Sequence, residues 1–315
     1  FPSKKLTVAG VTGTDGKTTT AHMIYEILTT AGARVSLISS IFAAVGPKTY
    51  QTGFHVTTPS PFALQRLLKQ MVDAGSKFAV LEVTSHGLDQ NRVFGVNFSV
   101  GVLTNITHEH LDYHKTYDNY AKAKAKLFKN VRWSVLNADD ASFNKIKKLA
   151  NGKIVTYGIE KKSDFNLKNF PIKLQISGEY NFYNALAAAA ATSQLGVNKK
   201  TILTALSKFK NLAGRMEEID EGQSFKVIVD FAHTTNALEQ ALKTLRKALK
   251  AKRKARIIAV FGAAGERDRL KRPAMGEVSA RLSDLTVITA EDPRTENPED
   301  IAKQIAAGCE KIGAK

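Results

Sequence analysis

Short apolar runs alternate with segments of helical periodicity along most of the chain. This alternation is typical of the α/β class, in which a parallel sheet is flanked by helices. In the first two thirds of the chain, the predicted strands span residues 6–10, 34–38, 78–83, 98–103 and 133–136. The predicted helices span about residues 17–31, 62–74, 117–128, 180–195 and 201–209, and short β segments are expected over residues 153–176.

A second alternating series begins after residues 211–214. Its predicted strands span residues 226–230, 256–261 and 285–289, with helices between them. A chain of 315 residues is longer than one hydrophobic core usually organises. We therefore predict two domains, over residues 1–211 and residues 212–315, with the boundary near residue 212.

Composition narrows the class of protein. The apolar fraction of 43% is sufficient for a large core. The single cysteine, Cys309, cannot form an internal disulfide and fits a reducing compartment. No apolar run approaches the ~20 residues that span a bilayer, and no signal segment opens the chain. The composition predicts a cytoplasmic enzyme without a membrane partner.

The formal net charge of +17 indicates an anionic partner. A nucleic-acid-binding protein concentrates such charge in a stripe with stacking aromatic residues. Here the basic residues are spread at helical spacings, typical of solvated faces, over residues 122–126, 145–148, 243–254 and 267–272. We therefore predict an anionic substrate such as a nucleotide rather than nucleic acid. A P-loop protein acting on nucleic acid is the alternative, and only the charge favours it.

The segment Gly13-Thr-Asp-Gly-Lys-Thr-Thr19 lies between the first predicted strand and the first helix. Glycines allow close backbone approach to a phosphate, and a helix N-terminus supplies N–H donors and a positive dipole. Lys17 would neutralise the β- and γ-phosphate charge, and the Thr18 hydroxyl would bind Mg²⁺. The common P-loop has another glycine where this chain has Val11.

This segment resembles the variant P-loop of the Mur ligases and of their folylpolyglutamate synthase relatives. Further segments agree with that family in order and spacing: EVTSHGL (82–88), THEHLDYH (107–114), YAKAKAKLF (120–128), GEYNFYN (178–184), GRME (214–217), DFAH (230–233) and FGAAGERDR (261–269). The resemblance implies the central ATP-binding domain over residues 1–211 and part of a Rossmann-like C-terminal domain over residues 212–315. Because the family's N-terminal UDP-binding domain and the end of its C-terminal domain have no counterpart, we expect a fragment.

The resemblance implies two Mg²⁺ sites. Glu82 closes a buried strand at its carboxyl end, where α/β sheets bind ligands, and a carboxylate suits a hard cation. The alternative for Glu82 is a helix-capping acid in the following turn. The resemblance assigns Thr18 and Glu82 to one Mg²⁺, and His110 with a carbamylated Lys124 to the second. From the residues alone, Lys124 is one solvated lysine of a lysine-rich helix.

Histidines and acids crowd the segment that contains His110. The residues are His108, Glu109, His110, Asp112 and His114. Their position just after a predicted strand favours a functional interpretation. The resemblance gives Lys17, His110 and Lys124 catalytic roles.

The resemblance also assigns the ATP contacts. They are Gly13, Thr14, Asp15, Gly16, Lys17, Thr18, Thr19, Asn184, Arg215, Asp230 and His233. The alternative for the pair Asn181 and Asn184 is capping of a helix N-terminus.

The contacts to the muramoyl-dipeptide are implied at Thr57, Thr58, Thr84, Gln90 and Arg92. The Thr-Thr-Pro segment has an alternative as an N-terminal cap of the next helix. A bidentate guanidinium such as that of Arg92 suits a carboxylate or phosphate.

The incoming amino acid would be selected by Arg267, Asp292, Pro293 and Arg294. The family's pattern for meso-diaminopimelate, Asp-Asn-Pro-Arg, is replaced here by Glu-Asp-Pro-Arg at residues 291–294. An arginine suits the extra carboxylate of diaminopimelate, whereas Asp292 favours an ammonium such as that of lysine. The sequence leaves both amino acids open.

The SHGL and HLDYH elements resemble those of the family members that add the third amino acid to UDP-MurNAc-dipeptide. The implied reaction is ATP-dependent amide-bond formation through an acyl phosphate, by a monomer, in peptidoglycan precursor synthesis. One alternative is another amide ligase of the superfamily, such as folylpolyglutamate or cyanophycin synthetase. Another is a non-catalytic nucleotide-binding fragment. We do not expect residues 1–315 alone to ligate at a useful rate.

Overall fold

A computed structural model describes residues 1–51, 57–107, 109–249 and 255–313. The chain folds into two compact units. The first unit contains Phe1–Ile106 and Thr116–Asn211, and the second contains Thr107–Lys115 and Leu212–Lys315. The short segment 107–115 thus groups with the second unit, which the sequence did not predict.

A sheet of eight strands within the described residues forms the centre of the first unit. The strands are β1 (Thr7–Thr12), β2 (Val35–Ile38), β3 (Phe42–Val45), β4 (Lys48–Gln51), β5 (Phe78–Glu82), β6 (Phe98–Leu103), β7 (Trp133–Asn137) and β8 (Lys153–Tyr157). Their order is β4-β3-β2-β5-β1-β6-β7-β8. Within this sheet, each neighbouring pair along β2-β5-β1-β6-β7-β8 is parallel. Strand β3 is antiparallel to both β2 and β4.

Helices cover this sheet. They are α1 (Lys17–Thr30), α2 (Pro61–Asp73), α3 (Ser85–Asp89), α5 (Tyr117–Ala125), α6 (Phe143–Leu149), α7 (Tyr180–Gln194) and α8 (Lys199–Lys208), while α4 (Leu111–His114) belongs to the second unit. Helices α1, α7 and α8 pack against one another. Helices α2, α5 and α6 contribute Leu68, Tyr120 and Ile146 to a shared apolar core. The predicted α/β class is confirmed.

Strand β1 shows why this sequence forms a central parallel strand. Val8, Ala9 and Val11 are at most 1% exposed, so side chains on both faces of the strand are buried. Strands buried on both faces are continuous apolar runs rather than alternating ones. At Gly10 a Cβ atom would lie 2.7 Å from the Phe98 ring, so close packing at this point requires glycine.

The second unit contains two strand pairs within the described residues. Strands β9 (Glu217–Ile219) and β10 (Val227–Val229) are antiparallel, and β11 (Ile258–Phe261) and β12 (Leu285–Ile288) are parallel. Its longer helices are α9 (Thr235–Leu249), α10 (Lys271–Leu282) and α11 (Pro298–Lys311). Helices α10 and α11 lie very close, because a Cβ atom at Gly276 would be 2.0 Å from the carbonyl oxygen of Ile305.

The predicted β segments over residues 153–176 are wrong beyond β8, apart from a bridge between Tyr157 and Phe165. Side-chain amides and carboxylates instead form hydrogen bonds with the backbone there. Asn169 Nδ2 donates to the carbonyl oxygen of Asp164, and Asn166 Oδ1 accepts from the Lys168 N–H. Such local bonds compete with strand pairing.

Candidate active site

Glycines set the shape of the loop between β1 and α1. Gly16 is the N-cap of α1 and has a φ of 79°. A Cβ atom at Gly16 would lie 2.3 Å from Asn184 Oδ1, and one at Gly13 would lie 1.7 Å from Thr104 Oγ1. Both positions therefore require glycine, and the loop is held tightly between β6 and α7.

Thr104 and Asn105 hold this loop by hydrogen bonds. Thr104 Oγ1 donates to the carbonyl oxygen of Asp15 at 2.6 Å, and Asn105 Nδ2 donates to the same oxygen at 3.1 Å. Asn105 Oδ1 accepts from the Asp15 N–H. Neither residue was predicted from the sequence. The available signal was their place directly after β6, because the carboxyl ends of neighbouring parallel strands meet at one edge of a sheet.

Lys17 begins helix α1 and folds back onto the loop. Its Nζ donates to the carbonyl oxygen of Thr14 at 2.7 Å. Thr18 and Thr19 are buried in the first turn of the same helix. A cation beside a helix N-terminus is a ready site for a phosphate group.

Oxygen ligands cluster beside the loop around Glu82. This carboxylate is 3% exposed at the end of β5. The Thr18 hydroxyl donates to its Oε1 at 3.1 Å, and the Ser40 N–H donates to its Oε2 at 2.9 Å. The Thr18 and Ser40 hydroxyls lie 3.0 Å apart. The donors are of the hard oxygen type that Mg²⁺ prefers, so the cluster fits the implied ion.

The helix-capping interpretation of Glu82 is wrong, because Thr84 caps α3 through a bond from the Gly87 N–H. Ser40 was not predicted from the sequence. Its signal was weak: a serine just beyond the carboxyl end of β2, the strand beside β5.

Lys124 is 1% exposed and points at the loop of residues 13–17 between β1 and α1, which we name the phosphate loop after its proposed role. Its Nζ donates to the carbonyl oxygen of Gly13 at 2.6 Å and lies 4.4 Å from the centre of the Tyr120 ring. The Tyr120 hydroxyl hydrogen-bonds Thr14 Oγ1 at 3.1 Å. Burial, followed by the charge of Lys17, lowers the pKa of the Lys124 amine well below its ordinary value.

The neighbouring lysines of α5 differ from Lys124. Lys122 and Lys126 are exposed and pair with carboxylates, Lys122 with Asp118 at 2.6 Å and Lys126 with Asp89 at 2.7 Å. The solvated interpretation is therefore correct for these two residues and wrong for Lys124.

His110 lies in the segment that groups with the second unit. It is the N-cap of α4 and has a φ of 58°. The preceding Glu109 is buried, and its Oε1 pairs with Lys271 Nζ at 3.1 Å. His108 lies outside the described residues. Among the residues that are described, no three His, Cys, Asp or Glu side chains converge on a metal site. The metal role of His110 stays a prediction.

Asn184 joins α7 to the phosphate loop. Its Oδ1 accepts from the Thr20 hydroxyl at 3.3 Å, and its Nδ2 donates to Asn181 Oδ1 at 3.1 Å. Asn181 Nδ2 donates to the carbonyl oxygen of Ser177. The N-cap of α7 is Glu179, with no side-chain cap bond. The capping alternative for the two asparagines is therefore wrong.

The structure brings together most of the residues assigned to the muramoyl-dipeptide. The Thr58 and Thr84 hydroxyls share a hydrogen bond of 3.2 Å, and Arg92 Nη1 donates to the carbonyl oxygen of Thr58 at 3.0 Å. Gln90 Oε1 accepts from Arg92 Nε at 2.9 Å. Thr57 precedes this cluster. The N-cap of α2 is Ser60, so the Thr-Thr-Pro segment is not a helix cap.

Arg215, Asp230 and His233 lie together within the second unit. The Arg215 guanidinium stacks over the Phe231 ring at 5.0 Å. Asp230 Oδ2 accepts from the Met216 N–H at 2.7 Å, and His233 Nδ1 lies 3.0 Å from the carbonyl oxygen of Phe231. Their assignment to ATP stays a prediction.

The residues assigned to the incoming amino acid occupy two loops of the second unit. Arg267 lies in the loop after β11, and Asp292, Pro293 and Arg294 lie in the loop after β12. The Gly265 N–H donates to the carbonyl oxygen of Asp292 at 2.8 Å, which ties the loops together. Arg294 Nε lies 3.5 Å from Asp292 Oδ2.

Comparison with known proteins identifies the family. Residues 11–192 match the Mur ligase middle domain, and residues 214–314 match the Mur ligase, glutamate ligase domain. The chain belongs to the Mur ligase family, which confirms the resemblance inferred from its motifs.

Two curated relatives and one solved structure are named for the same reaction. UDP-N-acetylmuramoyl-L-alanyl-D-glutamate--2,6-diaminopimelate ligase 1 of Clostridium acetobutylicum is 40% identical over 327 residues, and the ligase of the same name, without the number, of Clostridium botulinum is 41% identical over 330 residues. Each match covers 98% of this chain and 67% of the relative. A solved structure with the same enzyme name is 32% identical, with a TM-score of 0.68, and the match covers 98% of this chain and 67% of that one.

Proposed function

We propose that this chain carries the ATP-binding and C-terminal domains of a ligase that joins meso-diaminopimelate to UDP-MurNAc-L-Ala-D-Glu. The observation that carries the proposal is the buried Lys124 amine, 2.6 Å from the carbonyl oxygen of Gly13 in the phosphate loop. A generic nucleotide-binding module has no need of a second lysine buried at that point. The names of the relatives at about 40% identity support the choice of substrate.

ATP would bind with its phosphates on the loop Gly13–Lys17 and the N-terminus of α1. Thr18 and Glu82 would hold one Mg²⁺, and Ser40 would orient both of them through its hydrogen bonds. Bound Mg²⁺ would supply charge neutralisation for the phosphates. Lys17 adds a fixed cation on the same loop.

A carbamate at Lys124 would turn a buried cation into an anion able to hold the second Mg²⁺ with His110. The environment of Lys124 supports this modification, because the lowered pKa favours the neutral, nucleophilic amine that reacts with CO₂. The modification releases one proton for each CO₂ added.

The reaction would proceed in two steps. The dipeptide carboxylate attacks the γ-phosphorus of ATP, forming an acyl phosphate and releasing ADP. The amino group of the incoming amino acid then attacks the acyl carbon, and phosphate leaves as the amide forms. Lys17 and Arg92 would reduce the repulsion between the anionic reactants.

For the amino acid, Arg267 and Arg294 would bind the second carboxylate of meso-diaminopimelate. Asp292 differs from the family's asparagine, but it lies beside Arg294, which offsets part of its charge. We further propose a cytoplasmic monomer whose partners are these small molecules rather than nucleic acid or a membrane. Among the described helices, none is long and apolar enough to cross a bilayer.

Phosphate release by the full-length protein tests the proposal. The assay contains Mg·ATP and UDP-MurNAc-L-Ala-D-Glu, with meso-diaminopimelate and L-lysine supplied in separate reactions. We expect release that depends on meso-diaminopimelate. If a protein shown to bind ATP releases no phosphate with either amino acid, the proposal is contradicted.

A further inference from the structure

Arg272 and Glu296 form an ion pair beside the two loops that carry Arg267 and Arg294; the arginine side chain is 0% exposed and the glutamate side chain is 13% exposed. Arg272 is 0% exposed, although a charged side chain is almost never fully buried unless it is paired. Its Nη1 donates to Glu296 Oε2 at 2.9 Å, and its Nη2 donates to Glu296 Oε1 at 3.0 Å. This two-pronged arrangement fixes the direction as well as the distance of the carboxylate.

The same two side chains bind the backbone of the loop after β11. Arg272 Nη2 also donates to the carbonyl oxygen of Ala264 at 3.2 Å. Glu296 Oε1 accepts from the Glu266 N–H at 2.5 Å. Arg272 lies in the first turn of α10, and Glu296 lies near the end of the loop after β12. Both side chains hydrogen-bond the backbone of residues 264–266. The pair therefore connects one helix with both loops.

The loops themselves are closely fitted. A Cβ atom at Gly265 would lie 1.9 Å from the carbonyl oxygen of Pro293, so the two backbones touch there. Glu266 and Arg294 have φ values of 52° and 51°, a left-handed conformation that costs free energy for non-glycine residues. Such conformations persist only where surrounding contacts enforce them. The Arg272–Glu296 pair supplies such contacts at the base of both loops.

We propose that Arg272 and Glu296 are positioning residues that set the amino-acid selectivity of the ligase, by holding Arg267 and Arg294 in place before the amino acid arrives. The inference rests on the proposed function. Recognition of a second carboxylate depends on cations held within about half an ångström of the productive geometry. If the loops separate, both cations stay in the protein, but their spacing is no longer fixed.

Steady-state kinetics of the full-length protein test this inference with Glu296→Gln and Arg272→Lys. Glu296→Gln removes the negative charge and keeps the shape of the side chain. Arg272→Lys keeps the positive charge but cannot donate two parallel hydrogen bonds to the carboxylate. We expect each to raise the KM for meso-diaminopimelate by about tenfold, with the KM for ATP unchanged within about twofold. The preference for meso-diaminopimelate over L-lysine should fall by a similar factor.

Two further variants separate positioning from general stability. Glu277→Gln breaks the exposed pair with Lys311, which joins α10 to α11, and should leave both KM values unchanged. Thr295→Val removes a hydroxyl that donates to Glu266 Oε1 at the exposed side of the same loops. It should give a smaller rise in the same KM, and it serves as the test if the Arg272 and Glu296 variants do not fold.

The outcomes distinguish this inference from the proposed function. A parental protein that selects meso-diaminopimelate, together with positioning variants that select it equally well, overturns the inference alone. Equal rises in the KM for ATP and for the amino acid also overturn it, because they indicate a general structural role. A parental protein inactive with both amino acids overturns the proposed function, and the inference about selectivity with it.

Discussion

The amine of Lys124 occupies an environment that would be costly for an ammonium ion. It is buried, lies against an aromatic ring, and is close enough to Lys17 for the two charges to repel. A protein that needed only a structural side chain here could use an apolar one without this cost. Burial of an amine beside the phosphate loop is therefore the strongest residue-level argument for chemistry at this site.

Replacement of Lys124 separates a catalytic role from a structural one. We expect Lys124→Ala to lower the ligation rate of the full-length protein by on the order of 100-fold or more, because the proposed second metal site would lose its anion. Added bicarbonate should not restore the rate, since no amine remains. The measurement is kcat from phosphate release, with folding checked by circular dichroism.

The matched control is Lys122→Ala, two residues away on the same helix. Lys122 is exposed and pairs with Asp118, and an exposed ion pair contributes little to stability because both charges stay hydrated. We expect wild-type kcat for this variant. A Lys124→Ala protein as active as Lys122→Ala would remove Lys124 from the mechanism.

The lowered pKa of Glu296 predicts how the thermal stability of the protein depends on pH in the acid range. Hydrogen bonds from Arg272 lower the pKa of this carboxyl to about 2, from an ordinary value of 4.5. Because the folded-state pKa is the lower one, the carboxylate stabilises the fold above about pH 4.5 and loses this effect as the pH falls toward 2. Glu296→Gln should therefore lower Tm at pH 7, with a difference from wild type that narrows below pH 4.5.

Scanning calorimetry at several pH values between 7 and 3 measures this difference. Glu277→Gln, on the surface of the same unit, is the control. A Tm difference for Glu296→Gln that stays constant across this range would show that the carboxylate charge is not what stabilises the loops.

At the scale of elements, the N-terminus of α1 is the part of the fold most closely tied to function. Gly16 and Gly32 bracket this helix with nearly equal φ values of 79° and 78°. A Cβ atom at Gly32 meets nothing within 4 Å among the described residues, whereas one at Gly16 meets Asn184. Substitutions at these two glycines therefore distinguish the effect of backbone strain, which both share, from the effect of a clash with Asn184, which only Gly16 has.

We expect Gly32→Ala to lower the free energy of unfolding by about 1 kcal/mol and to leave ATP affinity unchanged. Gly16→Ala should carry the same strain and also push Asn184 and the phosphate loop apart. Its ATP affinity should fall at least about tenfold, as measured by calorimetric titration of the full-length protein with a non-hydrolysable ATP analogue. Equal ATP affinities for the two variants would contradict the site geometry.

Long elements with a clear period could be predicted from the sequence, and short ones could not. Helix α7 was predicted from its alanine run, and β1, β5 and β6 from continuous apolar runs. Helix α3 has only five residues, too few to show a helical period. The edge hairpin of β3 and β4 was missed because each strand has four residues and neither alternates clearly.

The residues of the candidate site likewise divide into those that could be predicted from the sequence and those that could not. The phosphate loop was found from its glycines and lysine, because their chemistry is local in sequence. Ser40, Thr104 and Asn105 were missed, because their role depends on which strands become neighbours in the sheet. The Arg272–Glu296 pair depends on a contact between residues 24 apart in sequence, which no local pattern marks.

At the scale of the whole molecule, the charge of +17 is dispersed. Several lysines pair with nearby carboxylates on the surface of the first unit: Lys69 with Asp73, Lys122 and Lys145 with Asp118, and Lys126 with Asp89. Such pairing leaves no continuous basic stripe at these positions. We therefore expect only weak binding to nucleic acid.

Fluorescence anisotropy of a labelled DNA duplex at about 150 mM salt measures this binding. We expect no saturable signal at micromolar protein. Tight binding that falls steeply with salt concentration would indicate a phosphate-backbone interface and would contradict the assignment of the charge to a small anionic substrate.

The central claim, that this protein joins a diamino acid to a muramoyl-dipeptide with ATP, is tested most directly by mass spectrometry of the product. The full-length protein is incubated with Mg·ATP, UDP-MurNAc-L-Ala-D-Glu and equal concentrations of meso-diaminopimelate and L-lysine. We predict a product heavier than the dipeptide by diaminopimelate less one water, with one ADP formed per amide. A lysine product alone would contradict the assigned amino acid, and no amide product from a protein that binds ATP would contradict the account itself.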